Sequence, residues 1–160
     1  MDRGEAVVRS ARALLGVPFR LHGRSADMGV DCVGLVALAA WRAGHEGEAP
    51  DRYGLRGGRV EQFENWLAAA GLRRVSSMVP GDIVLVQAGV RQFHVMVFTG
   101  EGFIHAHAGL RRVVAMPGES PWPVIGVWRV IDGYSSADGN GNGAGRANRR
   151  CDRSGARAGL

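Results

Sequence analysis

The sequence predicts an α+β domain, and three observations carry that prediction. Apolar residues recur at helical spacing in three segments of the first 70 residues. After Gly71 the pattern changes to short apolar runs punctuated by turn signals such as Pro80-Gly81-Asp82. Helices come first and strands afterwards, rather than in alternation, which indicates an antiparallel sheet with helices packed to one side. The chain has 160 residues, 46% of them hydrophobic, enough for one domain with its own core.

The first helix is expected over Glu5 to Leu15, with Ala6, Val7, Ala11, Leu14 and Leu15 on its buried face and Gly16 and Pro18 ending it. Phe19 to Ser25 reads as a polar loop. A second helix starts at Cys32 and runs to about Ala43, stopping at Gly44; Cys32, Leu35, Val36 and Ala39 form its apolar stripe. Residues 44 to 59 are a long connection of the kind that often walls a binding site. Val60 to Ala70 is the third helix, with Phe63, Trp66 and Leu67 inward. Strands are expected at Ile83 to Val86, His94 to Thr99, Phe103 to Ala108, Arg111 to Met116 and Ile125 to Ile131.

Residues 1–134 form the expected domain. Beyond Tyr134 the chain is mainly Ser, Gly, Asn, Ala and Arg with no large apolar residue before Leu160, so 135–160 is expected to be a disordered tail. Of the net charge of +5, residues 1–134 carry +2 and the tail carries +3. The folded part is thus too weakly basic to point to nucleic acid. Cys151 lies in the tail, so a structural disulfide with Cys32 is not expected. No secretory signal opens the chain and no stretch approaches the roughly 18 apolar residues of a membrane span. Synthesis in the cytoplasm is expected, with delivery to any outside substrate by another agent.

Asp31-Cys32 is where chemistry concentrates. Asp31 is a natural N-cap, and a thiol in the first turn feels the positive end of the helix dipole, which favours thiolate. The plain alternative is a packed structural cysteine. A cysteine nucleophile needs a base and a group to orient that base. His94 and His105 lie on consecutive strands joined by a short turn, where the two could stand side by side. His107 shares the strand face of His105, and geometry does not separate them. His22 lies in the polar loop, and His45 reads as surface. Cys32, His94, His105 and His107 have zinc-ligand chemistry but lack the paired short spacing of zinc motifs, so no metal or other cofactor is expected.

Four segments then match one family in order. Asp31-Cys32-Val33-Gly34-Leu35 resembles the D-C-S/V-G-L motif of the NlpC-type cysteine peptidases, which cleave bacterial cell-wall peptides. Pro80-Gly81-Asp82-Ile83-Val84 resembles their P-G-D-L-V, His94 to Gly100 their H-V-G-I-Y-x-G, and Phe103-Ile104-His105-Ala106 their x-I-H-A. The resemblance spans roughly residues 5 to 131. It implies a papain-like α+β fold with Cys32 as nucleophile, His94 as general base and His105 as the orienting third residue. It also implies hydrolysis of a stem-peptide amide in peptidoglycan, commonly between D-glutamate and the following diamino acid.

The tyrosines and Gly-Gly pair common before the family's cysteine are missing; Pro18-Phe19-Arg20-Leu21-His22-Gly23-Arg24 stands there instead. Phe19, His22, Arg24, Asp31 and His107 are therefore the expected substrate contacts, with Asp31 also holding the helix start. Val33 and the Arg20 to Arg24 stretch look closer to peptidases of phage tails and tail-like gene transfer agents. Such particles would bring the protein to the cell envelope, with tail or baseplate proteins as partners. A structural tail component without catalysis, and an amidase or acyltransferase using the same residues, are the alternative readings.

Overall fold

The structure, a computed structural model, describes residues 2–50, 53 and 58–131; Cys151 and the whole of 135–160 lie outside them. Helix α1 is Arg3–Ala13, begun by Asp2, whose carboxylate accepts the Glu5 amide at 2.8 Å. That cap starts the helix two residues before the apolar pattern does. Val7, Val8 and Ala11 face the core, while Leu15, expected inside, lies past the helix end and is exposed. Phe19 to Ser25, expected as loop, ends in a short strand, β1 (Arg24–Ser25), which pairs antiparallel with a second, β2 (Gly29–Val30).

Helix α2 (Cys32–Arg42) is buried on every side from Cys32 to Ala40, not along one stripe. Its small residues, Gly34, Ala37, Ala39 and Ala40, let other chain segments approach closely. A Cβ on Gly34 would stand 2.0 Å from the Gly23 carbonyl oxygen, so only glycine fits beneath the β1–β2 segment. Helix α2 packs on α1 and on the sheet. The chain then turns at Gly44 (φ +94°), and His45 goes under α3 (Val60–Ala69), where it is 5% exposed. Its Nε2 lies 2.6 Å from the Ala70 carbonyl, so the surface reading of His45 is corrected by this turn.

The main sheet contains β3 (Arg73–Val75), β4 (Ile83–Gly89), β5 (Gln92–Phe98), β6 (Gly102–His107), β7 (Arg112–Pro117) and β8 (Val124–Arg129). Their order is β3-β8-β4-β5-β6-β7, every pair antiparallel, so the last strand slips between β3 and β4 instead of closing an edge. The Pro80-Gly81-Asp82 turn is welded to α1: Gly81 (φ +95°) sits so near Gly4 that an added Cβ would overlap it. Asp82 accepts Arg129 Nε at 2.8 Å and the Val79 amide at 2.9 Å.

Two apolar clusters divide the sheet's faces. Val95, Val97, Ile104 and Ala106 join the helices in the larger core, and Met96 and Phe103 belong to the smaller core on the opposite face with Val84, Val86 and Val127. Strand alternation puts His94 and His105 on the smaller-core side. The β5–β6 ladder consists of only two pairs, Val97↔Ile104 and Phe98↔Phe103. Beyond them the two strands part. No helix of the described residues is long and apolar enough to cross a membrane.

Candidate active site

Cys32 is the first residue of α2, and the gap between β5 and β6 opens in front of it. Cys32, His94, His105, His107, Phe19 and Trp122 line one cavity of about 220 Å³. His94 Nε2 and His105 Nδ1 stand 2.9 Å apart, with ring centroids 5.0 Å apart and planes at 81°. Register extended from Val97↔Ile104 would set His94 opposite His107. The parting of the strands instead makes His105, one diagonal away, its hydrogen-bond partner. His107 stands beside His105 at 5.5 Å between centroids, and its Nδ1 accepts the Leu110 amide at 3.0 Å.

The protonation of this group is set by burial. The Cys32 thiol is pushed up to about 12, mainly by burial and then by the Asp31 charge; backbone N–H groups of Val95 and Val33, and Arg24, pull the other way. The helix-dipole argument from sequence expects the reverse direction. It fails because desolvation of a buried thiolate outweighs first-turn dipoles. His94 is held down at about 3, first by burial and then by the neighbouring His105 and His107. His105 is lowered to about 4 by burial and by His107. The Cys32 thiol and the His94 and His105 imidazoles are therefore neutral at pH 7.

Behind Cys32 lies a buried polar network centred on Asp31, which is fully enclosed. One carboxylate oxygen accepts the Gly34 amide at 2.8 Å and Arg24 Nη1 at 3.2 Å. The other accepts the His22 amide at 2.8 Å and the Tyr53 hydroxyl at 2.5 Å. His22 adopts φ 61° to make this contact, and its ring Nε2 lies 2.8 Å from the Tyr53 carbonyl. Arg24 reaches onward to the Pro50 carbonyl at 2.7 Å and lies over the Tyr53 ring. Burial and the Asp31 charge raise the Tyr53 hydroxyl above its ordinary value.

Of the five residues expected to touch substrate, Phe19 and His107 line the cavity, whereas His22, Arg24 and Asp31 do not. Those three brace the start of α2 from behind. The hydroxyl in this network comes from Tyr53, in the connection after α2, and not from a tyrosine before Cys32. Trp122 is the other residue that sequence reasoning missed. Its signal was Pro121-Trp122-Pro123, an aromatic side chain held in a stiff turn. Among the described residues no group of three His, Cys, Asp or Glu is arranged to hold a metal ion.

No family model and no curated protein matches this chain. Solved structures do. NlpC1 from Trichomonas vaginalis superposes with a TM-score of 0.58 at 22% identity, over 79% of this chain and 44% of that one. The P60 domain of an antigen from M. avium subspecies paratuberculosis gives 0.52 at 22% identity, over 81% of this chain and 96% of that domain. The peptidoglycan hydrolase RipB from Mycobacterium tuberculosis gives 0.51 at 24% identity, over 81% and 65%. The chain thus spans less than half of the first of these proteins and nearly all of a P60 domain. At this level of identity the likeness is one of architecture, and it agrees with the α+β arrangement of helices against an antiparallel sheet: this chain has the NlpC/P60 fold.

Proposed function

We propose that this protein is a cysteine peptidase that hydrolyses an amide bond in peptidoglycan stem peptides, with Cys32, His94 and His105 as its reacting group. One observation carries the reading: a thiol at a helix start and a hydrogen-bonded imidazole pair, from three separate elements, line a single cavity. The fold it shares with a peptidoglycan hydrolase supports the substrate class.

His94 has its Nε2 engaged with His105, which leaves Nδ1 as the base. For Nδ1 to be unprotonated, Nε2–H must donate to His105 Nδ1, and His105 then carries its proton on Nε2. His94 takes the thiol proton as sulfur attacks the carbonyl carbon. The oxyanion is stabilised by the backbone N–H of Cys32, at a helix start where amides lack intrahelical partners. The amine leaves with the proton from His94, giving a thioester. Water, deprotonated by His94, cleaves the thioester, releases the acid and restores the thiol. The bond between D-glutamate and the following diamino acid is the proposed target. The proposed setting is a phage or tail-like particle that carries the domain to the cell envelope, as the likeness of Arg20 to Arg24 to such peptidases implies.

Purified peptidoglycan digested with the wild-type protein should yield new amino termini at a stem-peptide bond, identified by mass spectrometry. Cys32→Ala should yield none. Cleavage that persists in Cys32→Ala would reject the nucleophile; no cleavage by either protein would reject the function.

A further inference from the structure

The imidazole pair has a third neighbour that the reaction scheme does not use. Trp122 lies edge-on to both rings, its centroid 5.9 Å from His94 and 5.7 Å from His105, with interplanar angles of 80° to each. An edge-to-face contact with both members of a hydrogen-bonded pair restricts the rotation of each ring. The indole also packs on the smaller core with Val84, Val86, Met96 and Phe103 and forms a wall of the Cys32 cavity.

The loop that holds Trp122 is built to aim it. Ser120 Oγ accepts the Trp122 amide at 3.1 Å and donates to the Trp122 carbonyl at 2.8 Å. Prolines flank the tryptophan on both sides, and the Pro123 carbonyl accepts the Gln87 amide at 3.0 Å, fastening the turn to β4. The β4–β8 register then shifts between Leu85↔Gly126 and Val86↔Val124, leaving Ile125 as the extra residue. Such a bulge bends the strand and redirects what precedes it. Here it directs the Pro-Trp-Pro turn over the histidines.

We propose that Trp122 is a positioning residue for the His94–His105 pair: its indole roofs their hydrogen bond, screens it from bulk water and keeps His94 Nδ1 turned into the cavity. The inference rests on the role given to the pair above, but its first test does not depend on activity. The low proton affinity of both rings accords with such a cover. Charged or titratable groups on the surrounding elements include Cys32 and Asp31 at the start of α2, His107 on β6, and Arg129 on β8, which is paired with Asp82. Arg112 stands opposite His107 on β7, Arg91 is in the β4–β5 turn, and Glu119 is in the loop of Trp122 itself.

Imidazole Cε1–H signals, assigned with His94→Gln and His105→Asn, are titrated by NMR in wild type, Trp122→Phe and Trp122→Ala. In wild type both rings should remain neutral down to about pH 5. In Trp122→Ala both midpoints should rise by at least one pH unit, and Trp122→Phe, which keeps an aromatic cover, should stay near wild type. Midpoints unmoved in Trp122→Ala, with its circular dichroism spectrum native, would overturn the proposal. Hydrolysis of a stem-peptide substrate forms the second arm. There kcat should fall 10- to 100-fold in Trp122→Ala with KM changed less than threefold, and recover in Trp122→Phe. A KM effect alone would make Trp122 a substrate wall only. Inactive wild type with shifted midpoints would reject the peptidase reading and leave the positioning role standing.

Discussion

Asp31→Asn replaces an enclosed carboxylate with an amide of the same shape and leaves Arg24 without its counter-charge. The Arg24 side chain is 7% exposed, and its remaining hydrogen-bond acceptors are the Gly23 and Pro50 carbonyls. Its Nε has no hydrogen-bond partner among the described residues. Removing one member of a buried ion pair costs about 3–5 kcal/mol, because the other charge stays enclosed. An asparagine still caps the Gly34 amide, so little of the roughly 1 kcal/mol of capping is lost. Its NH2 group would, however, meet two donors, the His22 amide and the Tyr53 hydroxyl, if turned that way, and Arg24 if turned the other. We therefore expect about 3–4 kcal/mol of destabilisation, a large part of the 5–15 kcal/mol typical of a domain. With roughly 4 °C lost per kcal/mol at this size, Tm should drop by about 12–16 °C. Urea unfolding followed by circular dichroism gives the free energy, and Arg24→Met with the double variant completes a cycle. The double variant should be more stable than Asp31→Asn alone, since an apolar side chain removes the stranded charge. A loss below about 1 kcal/mol for Asp31→Asn, or strict additivity in the cycle, would refute the reasoning.

Three further outcomes follow from the site. His105→Ala should lower kcat on a stem-peptide substrate about 10²-fold, and more than His107→Ala, because only His105 bonds His94; the reverse order would move the orienting role to His107. Acid should destabilise the fold through the histidine pair. Both pKa values fall in the native state, from 6.5 to about 3 and about 4, so below 6.5 the unfolded chain binds protons that the native chain refuses. That stability is full above pH 6.5 and drains away toward pH 4 and below. A His94→Gln, His105→Asn variant should show a markedly flatter decline between pH 7 and 4; parallel declines would sink the linkage. Finally, in a Cys151→Ser background, alkylation of Cys32 by iodoacetamide should accelerate about tenfold per pH unit from pH 7 to 9, as for a thiol titrating well above that range. A rate plateau at neutral pH would mean a preformed thiolate–imidazolium pair.

What could be read in the sequence was what local chemistry decides. Asp31 before an alanine-rich apolar run marked the start of α2, and Ile83 to Val86 after Pro-Gly-Asp marked β4. The short strands were not legible. Arg24–Ser25 and Arg73–Val75 have no apolar run, and they exist because a neighbouring strand offers them partners. Leu15 and His45 were misassigned for a related reason. The end of α1 at Ala13 and a glycine turn at Gly44 decide which side chains go inside, and periodicity is blind to both. Tyr53 and Trp122 were missed because each arrives at the site from a connection far along the chain, in a stretch with no strand or helix pattern.

The sequence by itself determined the parts of the site: a cysteine at a capped helix start, and two histidines on successive strands of an antiparallel sheet. Only the tertiary structure decided that they meet. The helices pack on the face of Val95 and Ile104, whereas the histidines alternate with Met96 and Phe103 onto the other. Because the β5–β6 ladder ends after two pairs, the sheet opens at that level and the thiol and both imidazoles share one cavity. Their charge state was likewise a tertiary outcome. A first-turn dipole is encoded locally, but the desolvation that overrides it comes from everything packed around Cys32.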